Sequence, residues 1–234
     1  IYTVPYTLSL HDALPIYPLD QHLAIRKLGI KTRVYPSFRP DKALLVDQPA
    51  AFNAWIEKLA GAAKTTVASF ENFLAALDRR HADFHAAGAR VSDHGMEQCL
   101  AEPCTAAEAK AIFDAARAGQ AATKAQLAQF TSFMMLEFGR WDAKRGWTKQ
   151  LHLGALRNNN TRLLSSLGPD TGFDSIGDFP QTVALARYLN TLDSTNELPR
   201  TILYNLNPAD NYAFACMIGN FQDGTVPGKI QYGS

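Results

Sequence analysis

A parallel α/β fold is what this sequence predicts, on three observations. Short β-branched or apolar runs alternate along the chain with longer segments of helical period. Most of those runs lead directly into polar clusters, as strands do when their carboxyl ends share one functional face. The composition agrees, since 234 residues at 47% hydrophobic and 19% charged content can bury a sizeable core.

The strands are expected at 31–36, 89–92, 149–153, 201–206 and 229–232. Between them, a helix is expected from a cap at Asp47 with Pro49 in its first turn. Phe52, Ile56 and Leu59 line its inner face and Gly61 ends it. Val67, Phe70, Phe73, Leu74 and Leu77 then recur at helical spacing. Thr105 and Glu108 form a capping-box pattern ahead of Ile112 and Phe113, and Gly119 stops that helix. A longer helix carries Leu127, Phe130, Met134, Phe138 and Trp141, a stripe that reads as core rather than as a cofactor box. Leu185, Tyr188, Leu189 and Leu192 mark the next, and Asn207 with Pro208 starts the last.

Charge and motif content narrow the function. A formal charge of +1, from 23 basic and 22 acidic residues interspersed along the chain, argues against nucleic acid as a partner. No apolar run approaches the roughly 20 residues that span a bilayer, so no membrane is expected. Cys99, Cys104 and Cys216 form no C-x-x-C pair, which fits neither a disulfide framework nor a cysteine metal site and points to a reducing, cytoplasmic setting. The glycine fingerprints of nucleotide folds are missing, as are H-x-H, H-E-x-x-H and G-x-S-x-G. Residues 6–16, YTLSLHDALPI, read like a translated sequencing adapter. We therefore expect residues 1–18 to be an artefactual or unstructured leader and 19–234 to be one domain, with both ends of the chain looking cut.

The stretch 151–178, LHLGALRNNNTRLLSSLGPDTGFDSIGD, concentrates the polar groups that folding explains least. His152 alternates with Leu151 and Leu153, so it points to the opposite side of its strand and can serve as acid, base or ligand. Arg157 follows in the loop, where its cationic fork suits a carboxylate. Asn158, Asn159 and Asn160 either meet hydroxyls or rigidify the loop. Arg162 and Asp174 can pair with each other and hold that loop. Arg39, kept extended by Pro40, can present two parallel hydrogen bonds to an anion or simply pair with Asp41. Asp93 can orient a histidine or accept a sugar hydroxyl, or it can be a turn residue. His94, beside Gly95, reads as a satisfied turn histidine.

Taken in order, residues 35–42 (YPSFRPDK), 91–94 (VSDH), 151–178, 201–208 (TILYNLNP) and 217–222 (MIGNFQ) resemble the uronate isomerase (glucuronate isomerase) family of the amidohydrolase superfamily, from near Asp20 to Ser234. The resemblance implies an α/β fold of partial (β/α)8 TIM-barrel type with helical insertions, so that 19–234 would be an incomplete catalytic barrel. It implies interconversion of D-glucuronate with D-fructuronate, or of D-galacturonate with D-tagaturonate, by proton transfer between C2 and C1. It places Arg39 and Arg157 as substrate-binding groups and His152 and Asp93 as catalytic ones. The expected cofactor is one divalent metal, zinc foremost, on ligands outside this segment, and the partner is a small-molecule uronate. A homo-oligomer is left open. The segment alone is expected to be inactive and poorly folded, because an opened barrel exposes strand edges. Two alternatives stand beside this reading: another metal-dependent amidohydrolase-type hydrolase, and a non-catalytic sugar-acid binding protein.

Overall fold

The computed structural model describes residues 15–233, so the expected leader lies outside the described residues as far as residue 14. Four strands, β1 (Val91–Met96), β2 (Thr148–Leu153), β5 (Arg200–Asn205) and β6 (Ile230–Gly233), form one parallel sheet in the order β1-β2-β5-β6. The register sets Gly95 beside His152, His152 beside Tyr204 and Tyr204 beside Gly233, so these positions form one row across the sheet near its carboxyl end. A short antiparallel pair, β3 (Ala155–Leu156) with β4 (Ser175–Ile176), stands above it.

Among the described residues, eight α-helices accompany the strands: α1 (Asp20–Lys27), α2 (Pro49–Ala63), α3 (Phe70–Ala86), α4 (Ala106–Arg117), α5 (Lys124–Arg145), α6 (Thr161–Leu167), α7 (Thr182–Asp193) and α8 (Asn211–Asn220). Leu151, Leu153 and Leu203 on the helix-facing side of the sheet join Phe130, Met134 and Phe138 of α5 and Leu185 and Leu189 of α7 in the main core. Each buried aliphatic or aromatic side chain of this kind contributes roughly 1.5–3 kcal/mol. A second cluster of Phe38, Phe84, Ala89 and Trp147 packs separately.

Several sequence expectations hold in detail. Thr105 and Glu108 cap α4 reciprocally, and Gly119, at φ +88°, follows its end. The α5 stripe is core, with Phe130, Met134, Phe138 and Trp141 buried. Asn207 accepts from the Ala209 amide to start a 3-10 turn, Pro208–Asp210, ahead of α8.

Others need correction. No strand forms at 31–36; instead Phe38 makes an isolated parallel bridge to Ser92. Pro36 and Pro40 each lack an N–H, which confines pairing to the short stretch between them. The strand expected at 89–92 runs as Val91–Met96, so Asp93, His94 and Gly95 are strand residues and not a turn. Asp47 does not cap α2; Gln48 holds that position without a side-chain hydrogen bond. The helix passes Gly61, where a side chain would meet open space, and ends at the left-handed Lys64. Val67 lies outside α3, which Ser69 caps through the Asn72 amide. Helices α1 and α6 and the β3–β4 pair carry too short a hydrophobic period to be seen in the sequence.

Candidate active site

Alternation along β1 sends Ser92 and His94 into the helix layer and leaves Asp93 and Gly95 on the opposite face. Arg39 reaches that face from the segment beside β1, its position set by the backbone bonds between Phe38 and β1 at Val91 and Asp93. Its Nε donates to Asp41 Oδ2 at 3.0 Å and its Nη1 to Asp93 Oδ2 at 2.9 Å. The sequence left a choice between Asp41 and a ligand as the partner of Arg39; Asp41 and Asp93 take two of its nitrogens. Nη2 makes no hydrogen bond among the described residues and lies over Gly95, only 2.3 Å from where a Cβ on that residue would stand. Glycine is therefore required here by close approach.

His152 stands one strand away, with Nε2 3.0 Å from Asp93 Oδ1. Its ring lies flat against Tyr204 of β5, centroids 4.3 Å apart, and Gln150 donates to the Tyr204 hydroxyl at 3.1 Å. Burial pushes the Asp93 carboxyl up, but His152 and the Arg39 charge outweigh it and hold the group below its ordinary range. Asp93 is thus ionised, with Oδ2 hydrogen-bonded to the Arg39 guanidinium and Oδ1 at ion-pair distance from the His152 imidazole.

Arg157 enters from the loop after β3. Its Nη1 is 2.5 Å from Asp174 Oδ2 and 3.9 Å from Asp170 Oδ1, while its Nη2 points back to within 3.9 Å of the Gly95 Cβ position. The asparagines serve the loop. The Asn158 amide, in a left-handed backbone at φ +54°, donates to Asp174 Oδ1, and Asn159 Nδ2 donates to Leu156 O, Phe173 O and Ser175 Oγ. Asn160 caps α6 through the Leu163 amide. The expected Arg162–Asp174 pair does not form, because Arg157 and the Asn158 amide hold Asp174.

Behind the sheet top lies a buried polar network that the sequence did not disclose. The Lys149 ammonium lies 2.8 Å from Asp142 Oδ2, 3.4 Å from Ser92 Oγ and 2.9 Å from His94 Nε2. Asp142 also takes the Ser92 hydroxyl at 2.6 Å and His81 Nε2 at 2.9 Å. Burial pushes the Asp142 carboxyl up, yet Lys149 and His81 more than offset it and bring its pKa to about 2. His94 is neutral, its pKa lowered by burial and by the Lys149 charge. Its Nδ1–H donates to Asp41 Oδ1 at 3.1 Å, and Asp41 Oδ2 accepts from the Gly95 amide at 3.0 Å. His94 is therefore a fully buried strand residue and not the turn histidine expected.

The four residues singled out from the sequence thus gather at one end of the sheet: Arg39, Asp93 and His152 touch in series, and Arg157 reaches the same glycine. Asp41, Gly95 and Tyr204 were missed as part of the group. Tyr204 alternates with buried Thr201 and Leu203, a signal that was present in the sequence. The described residues do not form a metal site. The carboxylates of Asp41 and Asp93 are engaged by the Arg39 guanidinium, and no cluster of His, Cys, Asp and Glu among the described residues is arranged to hold an ion.

A parallel sheet with two guanidiniums and a His–Asp pair gathered at its strand ends is the arrangement of a barrel-type α/β fold with its polar groups on one face. The chain belongs to the glucuronate isomerase family, whose model matches residues 9–234. Among proteins it resembles, a uronate isomerase of Opitutus terrae is 79% identical over 94% of this chain, and one of Solibacter usitatus is 54% identical over the same share. The crystal structure of uronate isomerase from Thermotoga maritima superposes with TM-score 0.86 at 26% identity, over 94% of this chain and 47% of that one. Glucuronate isomerase from Caulobacter crescentus gives 0.76 at 29% identity, over 84% and 40%. The fold is accordingly part of an amidohydrolase-like (β/α)8 barrel. The chain spans about half the length of the curated relatives it matches, 47% for each of the two named.

Proposed function

We propose that this segment supplies the uronate-binding strand ends of an aldose–ketose isomerase acting on D-glucuronate and D-fructuronate, or on D-galacturonate and D-tagaturonate. One observation carries the reading: the Nη2 groups of Arg39 and Arg157 both lie within 4 Å of the Gly95 Cβ position, beside the His152–Asp93 pair. Two guanidinium edges offer a carboxylate charge-assisted hydrogen bonds. The imidazole and Asp93 carboxylate then face the sugar hydroxyls and carbonyl.

The reaction removes a proton from C2 and from the C2 hydroxyl, and places one on C1 and one on the C1 oxygen. A paired acid and base can perform all four transfers through an enediol. In this reading Asp93 Oδ1 and His152 Nε2 hold the mobile proton, and Arg39 and Arg157 fix the carboxylate end so that C1 and C2 stay in register. A divalent metal, zinc by expectation, enters only through ligands other than these, and no step here depends on it. The same reading places the protein in the cytoplasm, where the free thiols of Cys99, Cys104 and Cys216 stay reduced.

The test is turnover of glucuronate and galacturonate to their ketoses by a full-length protein carrying this segment. Activity is expected, and His152→Ala should lower kcat by about 10²–10⁴-fold, the usual range for a proton-transfer group. The segment alone should show no turnover. Uronate binding without conversion would favour the non-catalytic binder, and hydrolysis of an amide or lactone the other amidohydrolase reading.

A further inference from the structure

The Lys149–His94–Asp41 series has no part in proton transfer as described, yet it runs through the sheet from the helix layer to the face that carries Arg39. Lys149 is fully buried on β2, and its neighbours Asp142, Ser92 and His94 match the three protons of an ammonium. Because His94 Nε2 accepts from Lys149, its ring proton must sit on Nδ1, the atom that faces Asp41. The tautomer is dictated by the buried pair. Asp41 lies at the start of the 3-10 turn Asp41–Leu44, so its carboxylate crosses the top of β1 to meet the Gly95 amide and the Arg39 Nε together. Phe138 of α5 stacks on the His94 ring, centroids 5.6 Å apart, which fixes the plane of the relay.

We propose that His94 and Asp41 are positioning residues: they couple the buried Lys149–Asp142 pair to the Arg39 guanidinium and so hold its Nη2 edge over Gly95. Arg39 Nε–H is held by Asp41 and its Nη1 by Asp93, so both hinge points of the fork are set by carboxylates. Only Asp41 among them is anchored from behind. Loss of the His94 Nδ1–H bond leaves Asp41 held through Oδ2 alone, by the Gly95 amide and Arg39, so the carboxylate can pivot about that oxygen and shift the Arg39 edge with it. The role rests on Arg39 being a substrate-binding group.

The experiment compares His94→Leu, His94→Asn and Asp41→Asn in a full-length protein carrying this segment. Leucine removes the donor, whereas the asparagine amide stands near the Nδ1 position and can still donate to Asp41. For His94→Leu we expect KM for glucuronate to rise at least tenfold with kcat changed much less, and His94→Asn to restore most of it. The Arg39 Nε–H signal in ¹⁵N NMR of the free protein should shift in His94→Leu and return in His94→Asn. Should His94→Leu fail to fold, Asp41→Asn carries the same expectations for KM and for the signal. A folded His94→Leu or Asp41→Asn protein with unchanged KM and an unmoved Arg39 signal would overturn the proposal. The NMR readout needs no substrate, so it decides the coupling even where the wild type converts no uronate.

Discussion

The two arginines that meet over Gly95 are held in opposite ways. Arg39 is four-fifths buried and is tied, through Asp41, to a charged network inside the protein. Arg157 is half-exposed, and its partners Asp170 and Asp174 belong to its own loop. A group anchored through the core keeps its geometry as long as the domain is folded. One anchored by a surface loop can move on binding, since exposed ion pairs contribute only about 0–1 kcal/mol. We therefore expect Arg39 to be preset and Arg157 to close on the ligand.

The sharpest way to break that contrast is Lys149→Met. It leaves Asp142 buried without its cation, met only by the Ser92 hydroxyl and His81, and breaking a buried pair typically costs about 3–5 kcal/mol. Chemical denaturation should show that loss, and little change would mean that water reaches Asp142. Acid offers the next test, because the His81 and His94 pKa values are lowered by burial below 6.5. The unfolded chain then takes up protons that the folded one refuses, so stability should begin to fall below about pH 6.5. Asp142 acts lower: its pKa is depressed from 3.8 to about 2, so its stabilisation is present above 3.8 and is lost as pH falls toward 2. Denaturation midpoints against pH should slope in both windows, with the lower slope much reduced in Lys149→Met.

Smaller effects separate the arginines themselves. An alanine Cβ at Gly95 would stand 2.3 Å from Arg39 Nη2 and 3.9 Å from Arg157 Nη2. To make room, the end of Arg39 must shift off Asp41 and Asp93, so Gly95→Ala should lower the melting temperature modestly while KM for glucuronate rises about tenfold, or 1.4 kcal/mol. Equal KM would show that the Nη2 edge does not meet substrate. Arg157→Lys keeps the charge and loses the fork, so a severalfold rise in KM with near-normal stability is expected. An unchanged KM with a lowered melting temperature would assign Arg157 to the loop alone.

The same contrast explains what the sequence revealed. His152 was legible because strand alternation fixes its direction once Leu151 and Leu153 are recognised as core. Arg39 and Asp93 were only half legible, since spacing left each between a ligand role and a local one. The family resemblance alone assigned them to the site, and neither follows a strand end as expected. The capping boxes and the α5 stripe are local patterns. The triple asparagine, the most conspicuous feature of the chain, turned out to be scaffolding: Asn159 and Asn160 satisfy their own backbone. The Lys149 network stayed hidden because its members lie far apart in sequence, Lys149 and His94 being 55 positions apart. Neither a period nor a motif marks a lysine that is buried by pairing. Asp41 was missed as an anchor for a related reason, since its partners at His94 and Gly95 are more than 50 positions away.

The most direct measurement is a crystal structure of a full-length protein carrying this segment with D-glucuronate bound. We expect the uronate carboxylate within hydrogen-bond distance of Nη2 of both Arg39 and Arg157, with C1 and C2 facing His152 and Asp93. A carboxylate held elsewhere, with Arg39 unengaged over Gly95, would contradict it.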